Sequence, residues 1–220
     1  MSQHFINLIK QGATTEIASA VEADPQVARA RDAQGVSALM WSIYTQQKVI
    51  RDFLLSGLTD LDIFEAAAAG DCAALQAHLA SDATLARSVS ADGWPPLHLA
   101  CAFATPEAVS VLLEHGAHVH QLSRNPMRNQ ALHACVSLGQ SAEIARLLIA
   151  SGADVNYVQT AGFTPLHSAA ANGNGELIRL LVEAGARCDC RCDRGKTPAD
   201  YARDRGHAEA VELLTTSASA

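Results

Sequence analysis

Gly162-Phe163-Thr164-Pro165-Leu166-His167-Ser168-Ala169-Ala170 is the stretch on which the fold turns. Thr164 has the short oxygen-bearing side chain that caps a helix N-terminus, and Pro165 at the first helical position has no N–H to leave unbonded. Leu166, Ala169 and Ala170 give that helix a small apolar face, suited to a close neighbour. Gly173 is placed to end it in a left-handed turn. Leu177, Ile178, Leu180, Leu181 and Val182 then supply the broader apolar face of a second helix, which Gly185 ends. A turn-rich segment follows as far as Gly195. Such a pair cannot bury both helices alone, so it predicts stacked neighbours.

The neighbours are in the chain. Positions matching His167 are Met40 (GVSALMWSI), His98 (GWPPLHLAC), His133 (RNQALHACV) and Asp200 (GKTPADYAR), with spacings of 33 to 35 residues from His98 onward. His98, His133 and His167 are each followed by an apolar helix and a Gly-Ala pair, in VLLEHGA, RLLIASGA and RLLVEAGA. Two weaker units are anchored at Ile6 and Phe64, each with a glycine six residues on, Gly12 and Gly70. Their linkers, 24–35 (DPQVARARDAQG) and 82–93 (DATLARSVSADG), share Asp, Ala-Arg and a final Gly, so the first four units read as two related pairs.

This pattern resembles the ankyrin-repeat family, as a soluble array of the bacterial type. The family's unit runs D-x-x-G-x-T-P-L-H-x-A-A to L-L-x-x-G-A-D-V-N. Close matches cover about residues 92 to 214, and Gly162–Asn172 lies nearest to it. The resemblance implies an all-α solenoid of about seven stacked helix pairs with short β-hairpin-like fingers. It forms one domain over 1–214, with units near 1–31, 32–58, 59–91, 92–124, 125–158, 159–191 and 192–214, and a frayed tail at 215–220. Two departures stand out. The step from Met40 to Phe64 is too short for a full finger, so residues 55–62 predict a gap in the finger row. The finger after His98 is longer than its neighbours, with Arg128 at the usual turn glycine and Gln130 at the capping threonine.

Composition agrees with a folded array. Of 220 residues 49% are apolar and only 5% aromatic, which leaves Ala and Leu to fill closely stacked helices. A formal charge of −7 speaks against nucleic acid as the main partner. No run reaches the roughly 18 apolar residues of a membrane span. The opening residues lack the basic start and apolar core of a secretory signal. These features, with six cysteines used as small apolar residues, predict a cytoplasmic, monomeric protein with no membrane association and no cofactor.

No phosphate loop, nucleophile elbow or H-E-x-x-H helix is present, so the chain reads as a non-enzyme. The resemblance assigns His98, His133 and His167 to bonds between units. Cys101 and Cys135 fall at small core positions. His115, His118 and His120 read as a solvated turn, with no carboxylate or Cys beside them to complete a metal site. Cys188, Cys190 and Cys192 carry two readings. Cys188 matches the buried Val of sister units; alternatively, an extended finger would turn three thiols to one face, with Asp189, Asp193 or His207 completing a zinc site or the thiols serving redox chemistry.

The resemblance also places a partner protein across the fingers and the exposed side of the first helices. Mapped onto this chain, that surface holds Trp94, Phe103, Arg124, Arg128, Asn129, Phe163, Asn172 and Lys196, with Tyr44 and Leu138 beside it. Trp94 and Phe163 at finger tips predict either ring anchors outside the core, removable without loss of stability, or rings packed on the neighbouring finger, and Arg124 and Arg128 a positive centre for carboxylates.

Overall fold

A computed structural model describes residues 2–138 and 141–217. Among these residues there are fourteen α-helices and no named strand. In chain order they are α1 (Ser2–Gln11), α2 (Thr14–Ala23), α3 (Ala38–Tyr44), α4 (Lys48–Gly57), α5 (Ile63–Ala69), α6 (Cys72–Ser81) and α7 (Pro96–Phe103). Then come α8 (Pro106–Glu114), α9 (Ala131–Ser137), α10 (Ala142–Ala150), α11 (Pro165–Ala171), α12 (Gly175–Glu183), α13 (Pro198–Asp204) and α14 (Ala208–Ser217). No described helix is long and apolar enough to cross a membrane. The last helix runs through Ser217, into the segment read from sequence as a frayed tail, and 218–220 lie outside the described residues.

The odd-numbered helices stack in one layer from α1 to α13, and each packs on the even-numbered helix that follows it. Ala and Leu make this close stacking possible: Ala66, Ala67, Ala100, Ala134, Ala169 and Ala170 are buried on the first helices. The second helices use longer side chains, with Leu112, Leu148 and Leu181 fully buried. Along that outer layer α4 and α6 meet less closely than any other successive pair. Exposed ion pairs link the outer layer at its other end, Arg146 to Glu176 and Arg179 to Glu209. These account for the glutamates that recur early in second helices, although pairs this exposed add little stability.

Local chemistry sets the ends. Ser37, Asp62, Asp71, Asn174 and Thr197 each accept a backbone N–H from the first turn of the following helix. The two related linkers fold alike: Asp24 and Asp82, with nearly equal dihedral angles, cap the 3-10 turns Pro25–Arg29 and Ala83–Arg87. In α5 the capping pair is Asp62 with Glu65, which moves the structural anchor of that unit from Phe64 to Glu65. Its turn glycine stays at Gly70, so this first helix closes one residue sooner than α11 does at Gly173.

The fingers are turn-closed loops and not the hairpins expected. Only an isolated antiparallel bridge between Arg31 and Ser37 is formed among the described residues. Each loop is closed by one backbone bond from its first residue to its last: Asp32 to Val36, Ser90 to Trp94, Gln159 to Phe163 and Cys192 to Lys196. The long finger closes from Ser123 to Asn129, and there Arg128 takes the left-handed conformation at φ 47°. A non-glycine residue in that region carries strain of about 1 kcal/mol.

Candidate binding surface

The three histidines of the repeat join units to one another. Each donates from Nε2 to the carbonyl that closes the next finger: His98 to Asn129 at 2.9 Å, His133 to Phe163 at 3.2 Å and His167 to Lys196 at 3.1 Å. A carbonyl only accepts, so each Nε2 carries the proton. All three rings are fully buried, and burial pushes His98 and His133 down to about 4. Burial lowers His167 as well.

Only His167 is satisfied at its other nitrogen, where Nδ1 receives the backbone N–H and the hydroxyl of Thr164. Pro95 and Gln130 stand at that capping position in the two preceding units and offer no hydroxyl. His98 Nδ1 and His133 Nδ1 are accordingly buried without a partner. Asp200 stands in place of the histidine in α13. Its carboxylate takes the N–H and hydroxyl of Thr197 and an ion pair from Arg203, and is held down at about 2.

Backbone bonds also run from finger to finger: Arg124 N–H to Gly93 O, Thr160 N–H to Met127 O, and Asp193 N–H to Ala161 O. The approach is close enough that a Cβ on Gly93 would sit 2.7 Å from Asn125 N, and one on Gly162 2.6 Å from Asp193 N. Four fingers thus form a bonded row. The missing finger at 55–62 does not leave the open gap expected. Arg31 reaches across to Asp62 at 2.8 Å, and Tyr44 donates to Asp92 at 2.7 Å. The tip at Gly35 comes against Ala91, with a Cβ there only 3.1 Å from the Ala91 methyl. A pocket of about 200 Å³ remains beneath.

The proposed partner residues separate into distinct groups. Trp94, Phe103 and Asn129 line one cavity of about 310 Å³ together with Tyr44, Met127 and Leu138. Arg124 and Arg128 are exposed on the far side of the same long finger. Phe163 lies one finger on, its ring 4.9 Å from Tyr201 and 5.2 Å from His167. Trp94 is half-buried against the core and 6.0 Å from the His98 ring. Both rings are therefore packed, the second of the two readings, and are not anchors standing outside the core. Asn129 is 3% exposed, because its carbonyl and N–H are tied to His98 and Ser123. Asn172 donates to the carbonyls of Val136 and Ser137, and Lys196 is paired with Asp204.

Leu138, expected beside this surface, is 46% exposed, and Met127, which the sequence did not single out, is 45% exposed next to it. The signal for Met127 was its place in the long finger. Among the described residues no group of three His, Cys, Asp or Glu is arranged to hold a metal. Cys188 lies in a turn, so the three cysteines do not sit on one continuous strand. Burial raises the Cys188 thiol. In Cys192 burial also raises it, but the Tyr201 hydroxyl at 3.4 Å and backbone N–H groups outweigh that and leave the thiol below its ordinary value. His118 and His120 are exposed neighbours with ring centroids 5.6 Å apart.

The family described as ankyrin repeats (3 copies) matches residues 63–159 and 141–220. Over 83 residues the chain is 40% identical to the E3 ubiquitin-protein ligase KEG of Arabidopsis thaliana, a stretch covering 38% of this chain and 5% of that protein.

Proposed function

Because the chain belongs to the ankyrin-repeat family, whose members generally mediate protein–protein interaction, we propose that it is a non-enzymatic module that holds a partner protein on its fingers and first helices. Its seven helix pairs are read as seven ankyrin units, the first and third of them degenerate. The observation that carries the choice of surface is the exposure of Met127 and Leu138 beside the Trp94–Phe103 cavity. Large apolar side chains gathered at the mouth of a cavity favour a protein contact, and the exposed Arg124 and Arg128 add directional bonding to it. Phe163, Asn172 and Lys196 extend the surface toward α13. The six free thiols fit a reducing, cytoplasmic setting, and the module acts as a monomer.

The test uses the exposed residues, because truncating Trp94 or Phe163 would also disturb packing. Met127→Glu with Leu138→Glu should abolish capture of partners from native lysate while the melting temperature stays within about 2 °C. Capture at full strength by this double variant would move the site to the opposite, second-helix face.

A further inference from the structure

The cavity beneath Met127 and Leu138 combines three features that together specify an occupant. Its walls are Trp94, Leu99, Phe103, Met127 and Leu138, almost wholly apolar, around about 310 Å³. That is the lower end of the range for ligand cavities, room for one large side chain. The one amide on the wall is Asn129, whose Oδ1 is buried without a hydrogen-bond partner. Its backbone is fixed by Ser123 and His98, so the amide is held at the wall. An amide carries a donor and an acceptor together, the pair that an extended peptide backbone presents.

Charge supplies the third feature. Ala102, Phe103 and Leu138 are shared with an adjoining hollow of about 380 Å³ lined by Lys48 and Arg51. Arg51 pairs with Asp52, whereas Lys48 has no ion-pair partner among the described residues. Arg124 and Arg128 stand exposed on the finger at the other side. In a chain of net charge −7 the cavity thus has cations at its Lys48 end and on the outer side of the finger that walls its other end.

We propose that this cavity seats one large apolar side chain from an extended, acidic segment of the partner protein, with the segment's backbone paired to the Asn129 amide. The proposal rests on the interaction reading above and names the chemistry of the partner. An uncharged apolar ligand would leave both the amide and the flanking cations unused; a peptide bearing carboxylates beside a Trp or Leu answers all three.

The experiment titrates short synthetic peptides with a central Trp, Leu or Ala, flanked by Glu or by Lys, against the full chain. Trp and Leu peptides flanked by Glu should bind best, with the Ala peptide about tenfold weaker. Ser137→Trp, which puts a ring into the cavity from an exposed wall position, should remove that binding with helicity unchanged. Lys48→Glu, exposed and remote from the core, should reduce the preference for Glu flanks and improve binding of Lys-flanked peptides. Absence of peptide binding, equal binding of Trp and Ala peptides, or a charge preference untouched by Lys48→Glu would each overturn the proposal. If the peptides fail while lysate capture still depends on Met127 and Leu138, this inference falls and the interaction module stands. If capture is also indifferent to those residues, both fall.

Discussion

The finger row is built in two ways. From Ser90 to Lys196, each finger bonds the next through the backbone, and each first-helix histidine bonds the carbonyl that closes the following finger. Between the finger at 32–36 and the one at 90–94 neither device is available, since the intervening unit has no finger. Met40 there replaces the histidine that would have lacked an acceptor, and the junction is made by side chains, Arg31 to Asp62 and Tyr44 to Asp92. Backbone bonding constrains side-chain identity only where fingers approach most closely, at Gly93 and Gly162, so the other tip positions of the C-terminal row are free to vary. The N-terminal junction depends on particular residues, and the looser contact of α4 with α6 leaves it less support. At α7, α9 and α11 the residue three positions into the first helix thus answers to the unit that follows it, whereas Glu65 at that position of α5 turns back to its own cap and to Arg31.

Acid should separate the two regions most sharply. His98 and His133 sit at about 4 in the fold against an ordinary value of about 6.5, so the unfolded chain takes up protons first. Their contribution to stability is complete above about pH 6.5 and is lost as pH falls from there toward 4. At about pH 5 the loss should be roughly 2 kcal/mol per histidine. Urea unfolding should show it for the C-terminal region, and His133→Gln should lessen the pH dependence. A stability that holds steady between about pH 7 and pH 5 would mean that the buried rings already accept protons in the fold.

Tyr44→Phe removes the bond across the fingerless junction and leaves the ring against Phe103, 5.5 Å away. We expect a loss of about 1 kcal/mol, expressed as earlier exchange of amide protons in α1–α4 than in α7–α14. Uniform acceleration along the chain would show the two regions to be one cooperative unit, and the contrast drawn between them would fail.

A smaller gain should come from Gln130→Thr. Threonine at this cap would offer a hydroxyl to the unpartnered His133 Nδ1, as Thr164 does to His167, and would remove the unpartnered Gln130 Oε1. Stabilisation of about 0.5 kcal/mol is expected in chemical denaturation. Destabilisation would instead show that packing of the longer Gln130 stem outweighs the missing bond.

The sequence by itself determined what is local and periodic. Helix starts follow from Thr, Ser, Asp and Pro at fixed positions, left-handed ends from Gly12, Gly70, Gly173 and Gly206, and the buried faces from Leu and Ala at helical spacing. Even the short step between Met40 and the next unit was readable as a missing finger. Tertiary structure decided what lies between residues about one repeat apart or more. Whether Phe163 is free or packed depends on Tyr201 in the next unit, and whether the missing finger leaves a gap depends on Tyr44 reaching Asp92, 48 residues on. Asn129 read as a surface residue because it follows the turn position of its finger; in the structure none of the five residues at that position, Val36, Trp94, Asn129, Phe163 and Lys196, is exposed, and the Asn129 backbone is tied to His98 and Ser123. The apolar cavity draws on α3, α7, α9 and two fingers, and its shape is set by how the units stack. One unit's pattern fixes its own backbone, whereas the angle and distance between units come from the packing of all their side chains together.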